Sequence, residues 1–233
     1  RKATLRFTRF KFRRGLMFRQ FMSGIPSGIT EMSPGIVTFI FNKFIVAFMH
    51  DRELIIYSIL SYVILLATVL ANGIAQGAQP LVSYYHGRHE RDTFHTIFGY
   101  EIRSGLMLAV LEIVVVLSFG KYIAMLFVND GDALILEVSH ALKLIAMAFP
   151  MLSMDIIIAG YLTALERSRV AVVISLMRCT LTLALSLALI ATMLGTSNIW
   201  LSLAVSEMLS MIAAVLLYRK TRRVAIAETF DDM

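Results

Sequence analysis

Charged breaks divide residues 16 to 218 into six apolar stretches, at 16–49, 54–85, 93–119, 135–164, 168–194 and 198–218. Crossing a bilayer takes about 20 apolar residues in helical form. Each stretch meets that length, and the longer ones leave room for tilt or for extension beyond the lipid. With 58% hydrophobic and only 16% charged residues, the chain lies outside the composition of a soluble domain. The expected fold is all-α and integral to the membrane, a bundle of six transmembrane helices.

The charges fall where the breaks fall. Arg1, Lys2, Arg6, Arg9, Lys11, Arg13 and Arg14 precede the first span; Arg88 and Arg91 follow the second, Arg167 and Arg169 the fourth, and Arg219, Lys220, Arg222 and Arg223 the sixth. Alternating spans bring all of these to one side. The opposite loops hold Asp51, Arg52, Glu53, Lys121, Asp130 and Asp132, so the positive-inside rule puts both ends in the cytoplasm of a cell (inner) membrane. The expected organisation is a basic cytoplasmic linker at 1–14, a transmembrane lobe at 15–218 and a cytoplasmic tail at 219–233. The linker alternates cations with Phe7, Phe10 and Phe12. Fused to a span, that pattern suits the anionic lipid surface rather than nucleic acid. The chain begins at Arg1 without a signal-peptide pattern, and is expected to be part of a longer protein. Its one cysteine, Cys179, sits in an apolar run, where it serves packing and offers no disulfide framework or cysteine-based metal site.

Two stretches carry polar residues in order. In the first span Ser23, Ser27, Glu31, Thr38 and Asn42 recur every three or four residues, with Pro26 and Pro34 flanking the acid. That spacing shares one helical face, and the prolines are expected to bend the helix and free carbonyls near Glu31. An acid facing inward from an apolar helix reads as an ion or proton site; the alternative is a structural glutamate hydrogen-bonded between helices. In the second span Ser61, Thr68, Asn72, Gln76, Gln79 and Ser83 fall within a narrow arc. A stripe of amides cannot face lipid, because an unsatisfied amide in hydrocarbon costs several kcal/mol. It packs against another polar stripe or lines a wet cavity, which singles out Asn42, Asn72, Gln76, Gln79 and Ser83 as cavity residues. Gly73 and Gly77 adjoin it as a Gly-x-x-x-Gly pair, a motif that permits close helix approach.

The later spans repeat the pattern. Glu101, Gly105, Leu108 and Glu112 share a face of the third; Asp155 and Thr163 follow Pro150 in the fourth; Ser175, Arg178, Thr182 and Ser186 align in the fifth; and Ser202, Ser206 and Ser210 make a small-residue face in the sixth beside Glu207. Five ionisable residues lie deep: Glu31, Glu112, Asp155, Arg178 and Glu207. Charged and facing lipid, at about 3 kcal/mol each, they would cost roughly 15 kcal/mol, as much as the stability of an ordinary domain. They must pair, protonate or face water. Arg178 is the one deep cation, expected to pair with Glu207 or Glu112 as a structural lock. The remaining carboxylates capture a proton or a sodium ion. His86, His89 and His95 in the loop after the second span offer too few ligands for a metal site.

Asn72-Gly-Ile-Ala-Gln76-Gly-Ala-Gln79-Pro80-Leu-Val-Ser83-Tyr-Tyr-His-Gly87 resembles the segment ending the eighth span of the multidrug and toxic compound extrusion (MATE) family. Phe149-Pro150 with Gly160-Tyr-Leu-Thr-Ala-Leu-Glu166 resembles that family's tenth span and its exit, and Gly195-Thr-Ser-Asn-Ile-Trp200-Leu-Ser-Leu-Ala-Val-Ser-Glu207 the turn into its last span. The matches keep their order from about residue 16 to 218, and correspond to the second six-helix half of a two-lobe transporter. The resemblance implies an N-terminal lobe as partner, in keeping with internal repeats in transporters. It implies secondary active efflux of organic drug-like compounds, expected to be cationic, by antiport against H+ or Na+, with no cofactor beyond the transported ion. By position it implies Glu31 and Asp155 as the cation-coupling acids. A lipid-linked precursor flippase of similar architecture is the alternative within transport. A membrane-embedded enzyme would need convergent catalytic groups that the sequence does not offer. A non-transporting helical scaffold accounts for the small residues but not for the acid between prolines.

Overall fold

The computed structural model describes residues 13–128, 132–195 and 198–231. The basic segment up to residue 12, the side chains of Ser23 and Ser27, and Asp130 in the opposite loop lie outside the described residues. Three long helices come first: α1 (Arg14–Phe48), α2 (Asp51–Gly87) and α3 (Arg91–Phe127). The fourth span is a broken pair, α4 (Asp132–Ala146) and α5 (Phe149–Ala164), bent by 45°. Its cause is Pro150 in the first turn of α5, where a missing N–H costs nothing to the new helix but cannot continue the old one. The fifth span joins α6 (Ser168–Leu176) and α7 (Leu183–Met193) through a π-helical turn at Met177–Thr182, and α8 (Leu201–Asp231) is the sixth. Among the described residues five helices are thus long and apolar enough to cross a membrane, and six if the bent pair counts as one span.

α1 remains helical through Pro26 and Pro34, and α2 through Pro80. Prolines are tolerated in membrane helices because neighbouring helices and hydroxyl side chains re-satisfy the freed backbone groups. The interruptions come instead at Pro150 and at the π turn. α8 also continues past residue 218, through Arg219 and Lys220.

α2 and α5 form the middle of the bundle, with α3 and α4 on one side and α1, α6, α7 and α8 on the other. One end is closed by Phe41 stacked on Tyr57 at 4.4 Å and beside Trp200 at 6.1 Å. At the other end Phe98 stacks on Tyr161 at 4.0 Å. Large apolar side chains such as Leu111, Val114, Leu126 and Leu185 point outward, which is the arrangement lipid requires and water penalises.

The α2–α5 contact depends on Gly160, because a Cβ there would lie 3.0 Å from the Ala75 Cβ. Gly160→Leu is expected to cost about 1–3 kcal/mol through overpacking, read as a lower melting temperature in detergent. Ala75→Gly in the same chain should recover part of the loss, since it empties the space the new side chain needs. An unchanged melting temperature for Gly160→Leu would show that the helices separate without cost.

Candidate functional site

The polar stripe of α2 is divided between two cavities. Asn72, Gln76 and Gln79 line the first, of about 450 Å³, opposite Ile156, Ala159, Gly160 and Thr163 of α5. Glu31 reaches the same hollow from α1, where the Gln76 side-chain amide donates a 3.0 Å hydrogen bond to its Oε1. Gly160 and Ala75, both small, let the helix backbones approach beside the cavity. The Thr163 hydroxyl donates back to the Ala159 carbonyl at 2.9 Å. Glu31 is therefore solvated and held by one amide, and among the described residues no cation pairs with it. Among the described residues it is the only charged one in the lining of this cavity.

Ser61 and Thr68, higher on the stripe, line the second cavity, of about 320 Å³, together with Thr38, Tyr57, Arg178 and Glu207. Arg178 Nε lies 3.0 Å from both carboxylate oxygens of Glu207. This ion pair joins the fifth and sixth spans across the π turn that carries Arg178. π turns are uncommon and concentrate at functional positions. Here the turn is tied to α8 by Thr182, whose hydroxyl donates to the Arg178 carbonyl at 3.1 Å and lies 3.2 Å from the Ser206 hydroxyl. Ser202, Ser206 and Ser210 of α8 are all buried, as are Ser175, Thr182 and Ser186 of the fifth span.

Asp155 belongs to this second centre and does not line the Glu31 cavity. It is 1% exposed, and neither carboxylate oxygen has a hydrogen-bond partner among the described residues. Ser210 and the Arg178–Glu207 pair are its polar surroundings, though the Ser210 hydroxyl is itself left without a bond. Two acids and one arginine thus share the buried core. A buried carboxyl without a partner is least costly in its neutral form or with a captured cation.

Several expected partners are not brought together. Glu112 does not join Arg178; both its oxygens are buried in α3 without a hydrogen bond among the described residues, because α3 packs on α2, α4 and α5 and not on the fifth span. Asn42 lies outside the linings of both cavities, one helical turn beyond Thr38. Ser83 is also outside; its hydroxyl donates to the Ala164 carbonyl at 3.2 Å. Among the described residues no group of three histidine, cysteine or acidic side chains could hold a metal. Thr163 and Tyr57 line the cavities without having been singled out for them. Thr163 carried a signal, since it lies two turns after Asp155 on a stripe of α5, but Tyr57 reads as an ordinary aromatic of an apolar run.

The MatE family model matches residues 26–190. The chain belongs to the MATE family. Its fold agrees with solved MATE structures. One, described as an outward-facing multidrug resistance MATE family transporter of the MOP superfamily, has a TM-score of 0.84 at 16% identity over 97% of this chain and 50% of its own. A MATE in complex with MaL6 gives 0.84 at 14% identity, over 94% of this chain and 49% of its own. A MOP superfamily transporter from Pyrococcus furiosus, described as having a binding pocket of reverse polarity, gives 0.80 at 16% identity, over 91% and 48%. No curated protein sequence matches the chain. This MATE chain spans about half the length of those solved transporters, and its described helices are those of a multi-pass membrane protein. Within the MATE lobe, the Glu31 cavity and the buried Asp155–Arg178–Glu207 centre are two places where polar chemistry enters the apolar bundle.

Proposed function

We propose that this chain is the lobe of a secondary active transporter that exports organic cations against H+ or Na+. The observation that carries this is Glu31, among the described residues the one charged group in a hollow lined by Asn72, Gln76, Gln79 and Thr163, held by a single amide at 3.0 Å. An acid so placed can hold a proton, a sodium ion or a cationic substrate, and neutralising it by one excludes the next. That mutual exclusion is the minimum an antiporter needs. The amides supply orientation and tolerate varied ligands, because each offers both a donor and an acceptor. Asp155 is proposed as the second coupling acid, acting from the buried centre through Arg178 and Glu207.

The acidic lining also separates this reading from a flippase of phosphate-bearing precursors, which needs cations in its cavity. The transport cycle proposed here requires an N-terminal lobe in the same protein, with the two lobes rocking about a site between them. We propose that both ends lie in the cytoplasm, a reading that the charge distribution supports. In proteoliposomes carrying the complete transporter, an imposed H+ or Na+ gradient should drive accumulation of a fluorescent organic cation. Collapse of that gradient with an ionophore should abolish accumulation, and accumulation indifferent to both gradients would reject antiport.

A further inference from the structure

We infer that the Glu31 site takes a singly charged amphiphile, an organic cation whose head is a primary ammonium or guanidinium and whose tail is uncharged and apolar. This narrows the transport role proposed for Glu31 and rests on it. The head is read from the hollow that Glu31 shares with α2 and α5, and the tail from the opposite side of the same carboxylate.

Small-molecule pockets are lined mainly by apolar and aromatic side chains with a few polar groups. Here, among the described residues, Glu31, Asn72, Gln76, Gln79 and Thr163 stand beside small or aliphatic residues, and no aromatic ring lines the hollow. Quaternary and delocalised cations are held on ring faces, which this lining does not supply. It supplies acceptors. Gln76 bonds Glu31 through Nε2, which leaves its own carbonyl oxygen to a ligand, and the amides of Asn72 and Gln79 carry one each. A carboxylate among carbonyl oxygens matches a head with several N–H donors on its charge. A guanidinium fits best, since it meets a carboxylate through two parallel hydrogen bonds.

Glu31 also lines a shallow groove of about 340 Å³ along α1, with Met32, Gly35, Ile36 and Phe39. Met32 and Phe39 are exposed, so the groove lies on the outer side of the helix. Its positions follow the helical repeat, and from Glu31 to Phe39 it runs about 12 Å along the axis. Gly35 keeps the middle open, because a Cβ there would meet nothing within 4 Å. At the far end the Lys43 ammonium lies 5.8 Å from the centroid of the Phe39 ring. A second positive charge would be repelled there, and the tail is therefore uncharged. Among the described residues Glu31 alone belongs to both linings, which makes it the point where head and tail join.

The test is calorimetry on the complete transporter in nanodiscs, with empty nanodiscs subtracted, using phenylbutylguanidinium, trimethyl(phenylbutyl)ammonium and methylguanidinium. Phenylbutylguanidinium should bind about tenfold or more tighter than either of the others, which lack the donors or the tail. Met32→Ala/Phe39→Ala changes two exposed side chains; it should bring phenylbutylguanidinium down toward methylguanidinium and leave methylguanidinium unaffected. Glu31→Gln should weaken all three. Equal affinity of the trimethylammonium compound overturns the assigned class. So does equal affinity of methylguanidinium, or a double variant without effect, either of which would mean that lipid or the second lobe covers the groove. The transport role of Glu31 survives each of those results provided that Glu31→Gln weakens binding, whereas affinities that Glu31→Gln leaves unchanged overturn both. Should a variant fail to fold, the order of the three compounds on the unaltered protein still decides the class.

Discussion

Glu31→Gln in the complete transporter should abolish drug resistance and gradient-driven efflux while leaving the protein in the membrane at its usual abundance. Glutamine keeps the size of the side chain and can still bond the Gln76 amide 3.0 Å away, so the change removes charge and little else. An acid that binds ion and substrate in turn supplies a coupling free energy of about 1–3 kcal/mol, or roughly a 5–150-fold effect of the ion on substrate affinity. In Glu31→Gln that ratio should fall to about one. Measuring substrate affinity with and without H+ or Na+ therefore tests the coupling directly, apart from any loss of growth phenotype. Gln76→Leu is the matching control, since it removes the hydrogen-bond donor and leaves the charge; it should retain gradient-driven efflux. Undiminished resistance in Glu31→Gln would mean that the acid lining this cavity is a structural group, and that coupling resides elsewhere in the protein.

How far the sequence carries this picture depends on which physical signal each feature leaves. The six spans are legible because apolar length is a one-dimensional property, set by the thickness of hydrocarbon. The Arg178–Glu207 pair is legible by scarcity, since the chain offers one deep cation to several deep acids. Periodicity is a weaker guide, because it names a face and not the neighbour that meets it. Ser61 to Ser83 spans about 33 Å along a helix, whereas a hollow of 450 Å³ is only about 8 Å on a side. One stripe therefore had to serve more than one centre. Ser61 and Thr68 go to one cavity, Asn72, Gln76 and Gln79 to the other, and Ser83 to a backbone carbonyl. Asn42 falls outside both linings for the same reason, since α1 and α2 cross and a shared face diverges beyond a few turns. The π turn at Met177–Thr182 left no signal, because an extra residue in a helix is accommodated by packing against its neighbours. Without it, the rotation that sets Arg178 against Glu207 and beside Asp155 could not be foreseen, and Glu112 stayed open as an equal partner.

Arg178→Ala is the substitution expected to destabilise the lobe most. It leaves Glu207 without its cation, with Asp155 in the same buried core at 1% exposure and already without a hydrogen-bond partner among the described residues. Removing one member of a buried pair costs about 3–5 kcal/mol, because the survivor is an uncompensated buried charge. The loss should appear as a lower melting temperature and a smaller monodisperse fraction after solubilisation. Replacing both partners, in Arg178→Met/Glu207→Met, should be close to neutral, since well-packed apolar residues of similar volume avoid the desolvation cost altogether. A double variant no more stable than Arg178→Ala would show that the arginine acts by packing and not by charge. Asp155→Asn separates structure from coupling within the same centre. Added to Arg178→Ala it removes one of two uncompensated carboxylates and should recover part of the lost stability. Alone, it leaves the 3.0 Å ion pair intact and should melt at or above the unaltered temperature. If it nonetheless loses gradient-driven efflux, the buried acid serves the ion and the arginine pair serves to hold the fifth and sixth spans around it; if efflux persists, Asp155 is a structural acid and Glu31 carries the coupling alone in this lobe.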